Sequence, residues 1–310
     1  MSGFGWNSTT LWRFLAARLA FSAAALLGAA TVIFFLFALI PADASADALG
    51  LQADPEARAQ IRHKLGLDRS LPARYFSHMQ GLARGDLGES LAGLGDVRSL
   101  LLARLTTTLP LVVAAVCVAL CAGLLIAVLI TWLDRPAIYR LADAVSLACA
   151  CVPVFVTALL LVAVFGRGAA VPIAYDGSWS SAVLPVLALA AAPTFWVARL
   201  VSLEVRQVLS RQFILFRRAL GFSKTALLRT AFRNVSLLTA LGTNLLLALL
   251  LGSFFVEYAF NWPGLGQLLV YSLVRRDLPV VQGVVVCFPL MIVLADSALE
   301  AARKSREAAR

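Results

Sequence analysis

The chain has 310 residues, of which 61% are hydrophobic and only 14% charged, and its formal net charge is +10. Soluble globular domains carry about a quarter charged residues, and here long stretches contain no charge at all. A water-soluble enzyme is excluded on that ground.

Six runs are free of Asp, Glu, Lys and Arg: Leu19–Ala42, Leu105–Leu133, Ala144–Gly166, Gly177–Ala198, Asn234–Val256 and Leu278–Ala295. About 20 apolar residues at helical rise cross a bilayer core. With no water in the lipid, each run must close its own backbone hydrogen bonds, which makes it a helix. The expected fold class is an all-α polytopic membrane protein with about six transmembrane helices. Arg13 and Arg18 precede the first run and Ala42, Ala44 and Ala46 follow it, a pattern also found in cleaved leaders. An apolar leader core is about 7–15 residues; this run is longer and reads as a retained span.

Between the first two spans lies a polar segment, 41–105. Asp54 is placed to cap a helix from Glu56 to Leu65, with Gly66 as its stop. A second helix is expected after Pro72, ending near Gly81 or Gly85. A structured loop of this length is either functional or a small cap on the bundle, and both readings stay open here.

In the remaining spans, Pro153, Pro185, Pro193 and Pro289 each remove a helical hydrogen bond and predict kinks. Asp143, Glu257 and Asp296 read as span-end residues, where contact with headgroups or water makes a charge cheap. A buried carboxylate is the mark of a proton or sodium path, so a self-contained ion-coupled carrier or channel is disfavoured, and energy is expected from outside this chain. No Ser/His or His/acid constellation for an intramembrane hydrolase falls within the spans. Cys117, Cys121, Cys149, Cys151 and Cys287 also lie in spans, and the two histidines, His63 and His78, lie in the first loop. The cysteines read as small hydrophobes and no metal site is expected.

The basic residues are concentrated. Segment 201–234 holds Arg206, Arg211, Arg217, Arg218, Lys224, Arg229 and Arg233 against the single acid Glu204. Basic and acidic residues balance over 41–108, and the short loops near 166–181 and 256–277 carry only Arg167, Arg275 and Arg276 as cations. Positive-inside reasoning puts both termini in the cytoplasm. The excess charge is topological, so membrane lipid is an expected partner and nucleic acid is not.

Within that basic segment, Phe213–Leu220 reads as a short helix ended by Gly221, which takes the left-handed conformation readily. Ser223 is placed to cap a second helix, Lys224–Arg233. Such an elbow can lie flat on anionic lipid or dock in a groove of a cytosolic partner.

Arg218-Ala219-Leu220-Gly221, followed by Leu227-Leu228-Arg229-Thr230-Ala231-Phe232-Arg233-Asn234, resembles the cytoplasmic "EAA" loop of binding-protein-dependent ABC importer permeases, with the dipeptide/oligopeptide/nickel branch the best match. Three further stretches are similar to that branch. They are Glu257–Gly266 with Arg276–Gly283, then Leu65-Gly66-Leu67-Asp68 with Leu71-Pro72 and Tyr75, then Gly81–Ser90. The resemblance runs from about Arg13 to about Glu300. Four departures stand out: Arg217 at or near the place of the acid that names the loop, Thr230 where many relatives have His, Leu238 where many have Pro, and Pro41-Ala42-Asp43 in place of Pro-Gly-Asp.

The resemblance implies a type I ABC importer transmembrane-domain fold with an extra N-terminal span. It divides the chain into a cytoplasmic N-terminus with first span (1–40), an extracytoplasmic loop subdomain (41–105), a five-helix permease core (106–300) carrying the coupling segment 211–234, and a cytoplasmic tail (301–310). It further implies a second, homologous permease subunit, two cytosolic ATPase subunits and an extracytoplasmic substrate-binding protein, all in a bacterial inner membrane. ATPase coupling is expected at Arg217, Arg218, Ala219, Leu220, Gly221, Phe222, Ser223, Leu227 and Arg233. An external turn or gate is expected at Glu257, Trp262, Pro263, Gly264 and Gly266, with Trp262 either an interfacial anchor or part of the gate. No P-loop pattern occurs, so this chain is expected to bind no cofactor and to leave ATP and Mg to the partner subunits. Small peptides, nickel or a metal chelate are the implied cargo. The competing reading is a membrane scaffold or signalling subunit that keeps the fold without transporting.

Overall fold

The computed structural model describes residues 20, 23–36, 69–166, 172–235 and 242–308. The expected helix over 56–65, His63 and the Leu65–Asp68 motif lie outside them. The described residues form helices α1 (Ala23–Leu36), α2 (Leu71–Arg84), α3 (Val97–Leu133), α4 (Pro136–Cys151), α5 (Val154–Phe165), α6 (Val183–Leu209), α7 (Gln212–Ala219), α8 (Lys224–Asn234), α9 (Thr243–Ala259), α10 (Leu265–Val274) and α11 (Leu278–Ala308). A single turn of 3₁₀ helix, Trp179–Ala182, leads into α6.

Each of the six uncharged runs contains a helix, but they are not six uniform spans. Among the described residues, three helices are long and apolar enough to cross a bilayer: α3, α6 with its 3₁₀ turn, and α11 to Glu300. The third run breaks in two, because α4 and α5 meet at 92° and count as one further span only if the bent pair is taken together. Pro153 is the cause. It has no N–H to continue α4, and it disfavours the helical region for the residue before it. Val152 is accordingly extended (φ −86°, ψ 115°), and Pro153 becomes the cap of α5. The sequence predicted a kink here; the structure has a corner. Pro110, Pro193 and Pro289 remain inside their helices. The helices α9 and α10 are apolar but short, and the described part of α1 is apolar. The fifth run starts later than its lack of charge suggested, since Asn234 closes α8 and α9 begins at Thr243.

The chain divides into two compact units, one of residues 1–103 with 268–294 and one of residues 104–267 with 295–310. In the first, α1 and α2 share an aromatic cluster. Phe34 meets Tyr75 edge-on and stacks on His78, and the Tyr75 hydroxyl lies 2.9 Å from Thr31 Oγ1. Helix α2 ends as predicted at Gly85, which adopts φ +74° while its N–H bonds back to the Leu82 carbonyl. Gly283 on α11 lies against Val97 and Leu101 at the start of α3, where a side chain of any size would collide.

The second unit is organised around α6, which packs against α4, α5, α8 and α9, while α5 also packs on α9. Its buried face carries Leu184, Leu189, Val197, Val201, Val205 and Val208. Gly123 marks the closest approach of α3 to α6, since a Cβ there would stand 2.8 Å from the Thr194 carbonyl oxygen and from Val197. Arg199 on α6 reaches Asp143 on α4 at 2.8 Å, with both side chains about half exposed. Such a pair adds orientation more than stability.

Candidate functional site

Two constructions in the second unit carry the residues singled out by sequence, and they flank α9 in chain order: the elbow precedes that helix and the turn follows it.

The elbow has the predicted form. Helix α7 ends in a paired closure, with Phe222 N–H bonding the Arg217 carbonyl at 3.2 Å and Gly221 N–H bonding the Arg218 carbonyl at 3.0 Å. This closure needs a left-handed residue, and Gly221 supplies it at φ +84°. Ser223 Oγ then accepts from Ala226 N–H at 3.3 Å and starts α8. One face of the elbow is anchored by Ile214, Leu227, Leu228 and Ala231, all buried. The other face exposes Phe213, Leu215, Phe216, Leu220 and Phe222 among Arg217, Arg218 and Arg233. Leu227 therefore faces the bundle and supports the elbow, unlike its exposed neighbours in the predicted set. Two departures from the family pattern meet here, as Arg217 Nη1 donates to Thr230 Oγ1 at 3.2 Å and the guanidinium also lies over the Phe222 ring.

The turn after α9 is built in the same way, with Asn261 at φ +51° and Trp262 N–H bonding the Glu257 carbonyl at 2.8 Å. Sequence placed Glu257 at an exposed span end. The structure buries it completely. Its carboxylate accepts from Thr108 Oγ1 at 2.7 Å and from Gly266 N–H at 2.6 Å, with the Gln267 amide donating as well. Thr108 Oγ1 in turn accepts from Leu265 N–H at 3.0 Å. The first free N–H groups of α10, which a helix N-terminus leaves unmatched, are thus satisfied by one carboxylate and one hydroxyl. The acceptor oxygens sit where a helix N-terminus presents its unpaired donors. Gly264 leaves room for the carboxylate, and Gly266 lets α10 approach the Phe254 backbone, where a Cβ would meet Cα at 2.5 Å.

Trp262 is 2% exposed. Its indole N–H donates to the Thr107 carbonyl at 3.2 Å, and its ring meets Tyr175 at 4.8 Å and Trp179 at 6.4 Å. It is an internal strut and not an interfacial anchor, because its polar edge is already matched by protein.

The first unit holds a second buried carboxylate that sequence reasoning passed over. Asp277 is fully buried. Its oxygens accept from Ser90 Oγ, from Leu91 N–H at 3.0 Å and from Ala92 N–H at 3.3 Å. Two of the signature stretches, Gly81–Ser90 and Arg276–Gly283, are therefore joined through Ser90 and Asp277. Thr107 and Thr108 were missed because uncharged threonines in an apolar run look like ordinary span residues. Their one signal is a run of three threonines just before Pro110. Among the described residues, no three His, Cys, Asp or Glu side chains converge as metal ligands would.

All-helical, rich in apolar helices and carrying a basic elbow between two of them, the molecule is a polytopic membrane component. Residues 119–304 match the family described as "Binding-protein-dependent transport system inner membrane component", and residues 11–112 match the N-terminal region of such membrane components. The glutathione transport system permease protein GsiC of Salmonella choleraesuis (strain SC-B67) is 31% identical over 277 residues, covering 87% of this chain and 89% of the relative. The protein of the same description from Escherichia coli (strain K12) is 33% identical over 273 residues, covering 85% and 88%. The chain belongs to this family: it is a multi-pass inner-membrane permease subunit of an ABC importer.

Proposed function

We propose that this permease imports small peptides of the glutathione kind, driven by two cytosolic ATPase subunits that seat on the 211–234 elbow. The observation that carries the coupling half is the elbow's exposed apolar and basic face on a rigid, double-capped frame. A flexible loop would absorb a push, whereas a closed helix–glycine–helix corner transmits it. Arg217, Arg218, Ala219, Leu220, Gly221, Phe222, Ser223 and Arg233 form this seat, and Leu227 holds it to the bundle. The cargo half is supported by the two relatives named for glutathione transport.

A second, similar permease completes the pathway, and an extracytoplasmic binding protein delivers the cargo. The turn formed by Glu257, Trp262, Pro263, Gly264 and Gly266 serves as the outer gate, following α9 in the chain where the elbow precedes it. Both termini are cytoplasmic. ATP and Mg are used by the partner subunits, whose closure rocks the helices between outward and inward openings.

The test is the ATPase activity of the reconstituted importer, with its binding protein loaded in turn with glutathione, a dipeptide or Ni²⁺. Glutathione is expected to stimulate and Ni²⁺ alone is not; stimulation by Ni²⁺ alone would overturn the cargo reading. In Gly221→Val, a β-branched residue is forced to positive φ. This variant is expected to insert and assemble but to lose stimulation and uptake. Uptake at the wild-type level would remove the elbow from the mechanism, and wild-type complex that no loaded binding protein stimulates would leave the scaffold reading standing.

A further inference from the structure

Besides the bonds within its own stretch of chain, the gate turn is tied to α3, and two adjacent threonines do the tying. Thr108 Oγ1 donates to Glu257 and accepts from Leu265 N–H, so it links a buried carboxylate to the N-terminus of α10. Thr107 Oγ1 donates to the Pro263 carbonyl at 2.6 Å, and the Thr107 carbonyl accepts from the Trp262 indole. Four residues of the turn region are therefore bonded to a two-residue stretch of α3, in the turn just before Pro110. Thr108 itself has no solvent exposure. A hydroxyl is the one small group that donates and accepts at once, which is what the Thr108 position demands: an acceptor toward the amide, a donor toward the carboxylate.

We propose that Thr107 and Thr108 are positioning residues of the transport cycle, clamping the Glu257–Gly266 turn to α3 so that turn and helix move as one rigid block when the outer mouth opens. The clamp is internal to the second unit and rests on the reading of that turn as the gate. If the hydroxyl at 108 is removed, Glu257 keeps its burial but loses a donor, and Leu265 N–H loses its acceptor. A buried polar group left without its partner is costly. The turn then has a reason to detach from α3, and energy delivered at the elbow no longer arrives at the gate.

The experiment compares Thr108→Val, Thr108→Ser and Thr107→Val in the complete reconstituted importer, measuring partner copurification, basal ATPase and stimulation by loaded binding protein. Thr108→Val is expected to copurify and to keep basal ATPase within about twofold, while stimulation falls about tenfold, the size of effect one unmatched buried group produces. Thr108→Ser keeps the hydroxyl and is expected to restore stimulation. In a variant that still copurifies, a purely structural role would lower basal and stimulated activity together, and that outcome overturns the proposal. Stimulation equal to wild type in Thr108→Val also overturns it. Should Thr108→Val fail to copurify with its partners, Thr107→Val, which removes the hydroxyl shared between the Pro263 carbonyl and the Arg104 carbonyl of its own helix, decides: selective loss of stimulation supports the clamp, and wild-type stimulation sinks it. If the wild-type complex is stimulated and these variants match it, only the clamp fails; if the wild type is never stimulated, the importer reading itself fails.

Discussion

At the scale of single residues, the molecule uses one device twice: a carboxylate is buried and then surrounded by donors. Glu257 and Asp277 both lack solvent contact and both accept from a hydroxyl and from backbone amides. Gly264 makes room for the first of them. Gly266 faces the Phe254 backbone, which cannot swing aside as a side-chain tip can. Gly266→Ala is expected to destabilise the folded chain by about 1–3 kcal/mol, the usual range for overpacking a close contact. Thermal unfolding of the detergent-solubilised protein measures it; an unchanged midpoint would mean that α9 and α10 are less closely packed than described. Residues of this kind divide sharply in how far sequence reveals them. Gly221 and Ser223 were legible because capping is local: the residue that closes or opens a helix sits next to it. Glu257 was not, because its hydroxyl partner Thr108 lies 149 positions away and only the fold brings them together.

At the scale of elements, the positions of the helices were readable and their shapes less so. Lack of charge located all six apolar runs, and the stop at Gly85 and the elbow followed from glycine and serine chemistry. Pro153 was read as a kink, yet it turns the chain by 92°. A missing N–H fixes where a helix must be interrupted, but the angle across the interruption is set by what α4 and α5 pack against, which is α6 in both cases. Gly123 on α3 lies tightly against α6. Gly123→Ala places a Cβ 2.8 Å from a carbonyl oxygen and from Val197, so the two helices must separate. A loss of about 1–3 kcal/mol is expected, read as a lowered unfolding midpoint. Gly28→Ala on α1 meets nothing within 4 Å and serves as the matched control. Equal midpoints for the two variants would contradict the close crossing.

At the scale of the whole molecule, sidedness follows from the distribution of Arg and Lys, which favours the cytoplasm for the segment 201–234. The measurement is labelling of single cysteines placed at the exposed Ser210 and Ser180 in a chain whose five native cysteines are replaced. A membrane-impermeant maleimide added outside intact spheroplasts is expected to label Ser180→Cys and to spare Ser210→Cys. The reverse pattern would invert the protein and detach the elbow from any cytosolic engine. At this level hydropathy made the multi-pass class legible, while sidedness awaits the labelling. What hydropathy left hidden is which segments travel together, because that depends on buried polar bonds between stretches far apart in sequence.

The helix α6 is 27 residues long, about 40 Å at helical rise, and only Ser210 and Arg211 separate its end from α7. It is also the helix on which α4, α5, α8 and α9 all rest. A shove received at the foot of such a mast is distributed to four neighbours in one stroke. On the coupling proposed above, no chain of separate switches is required between elbow and turn.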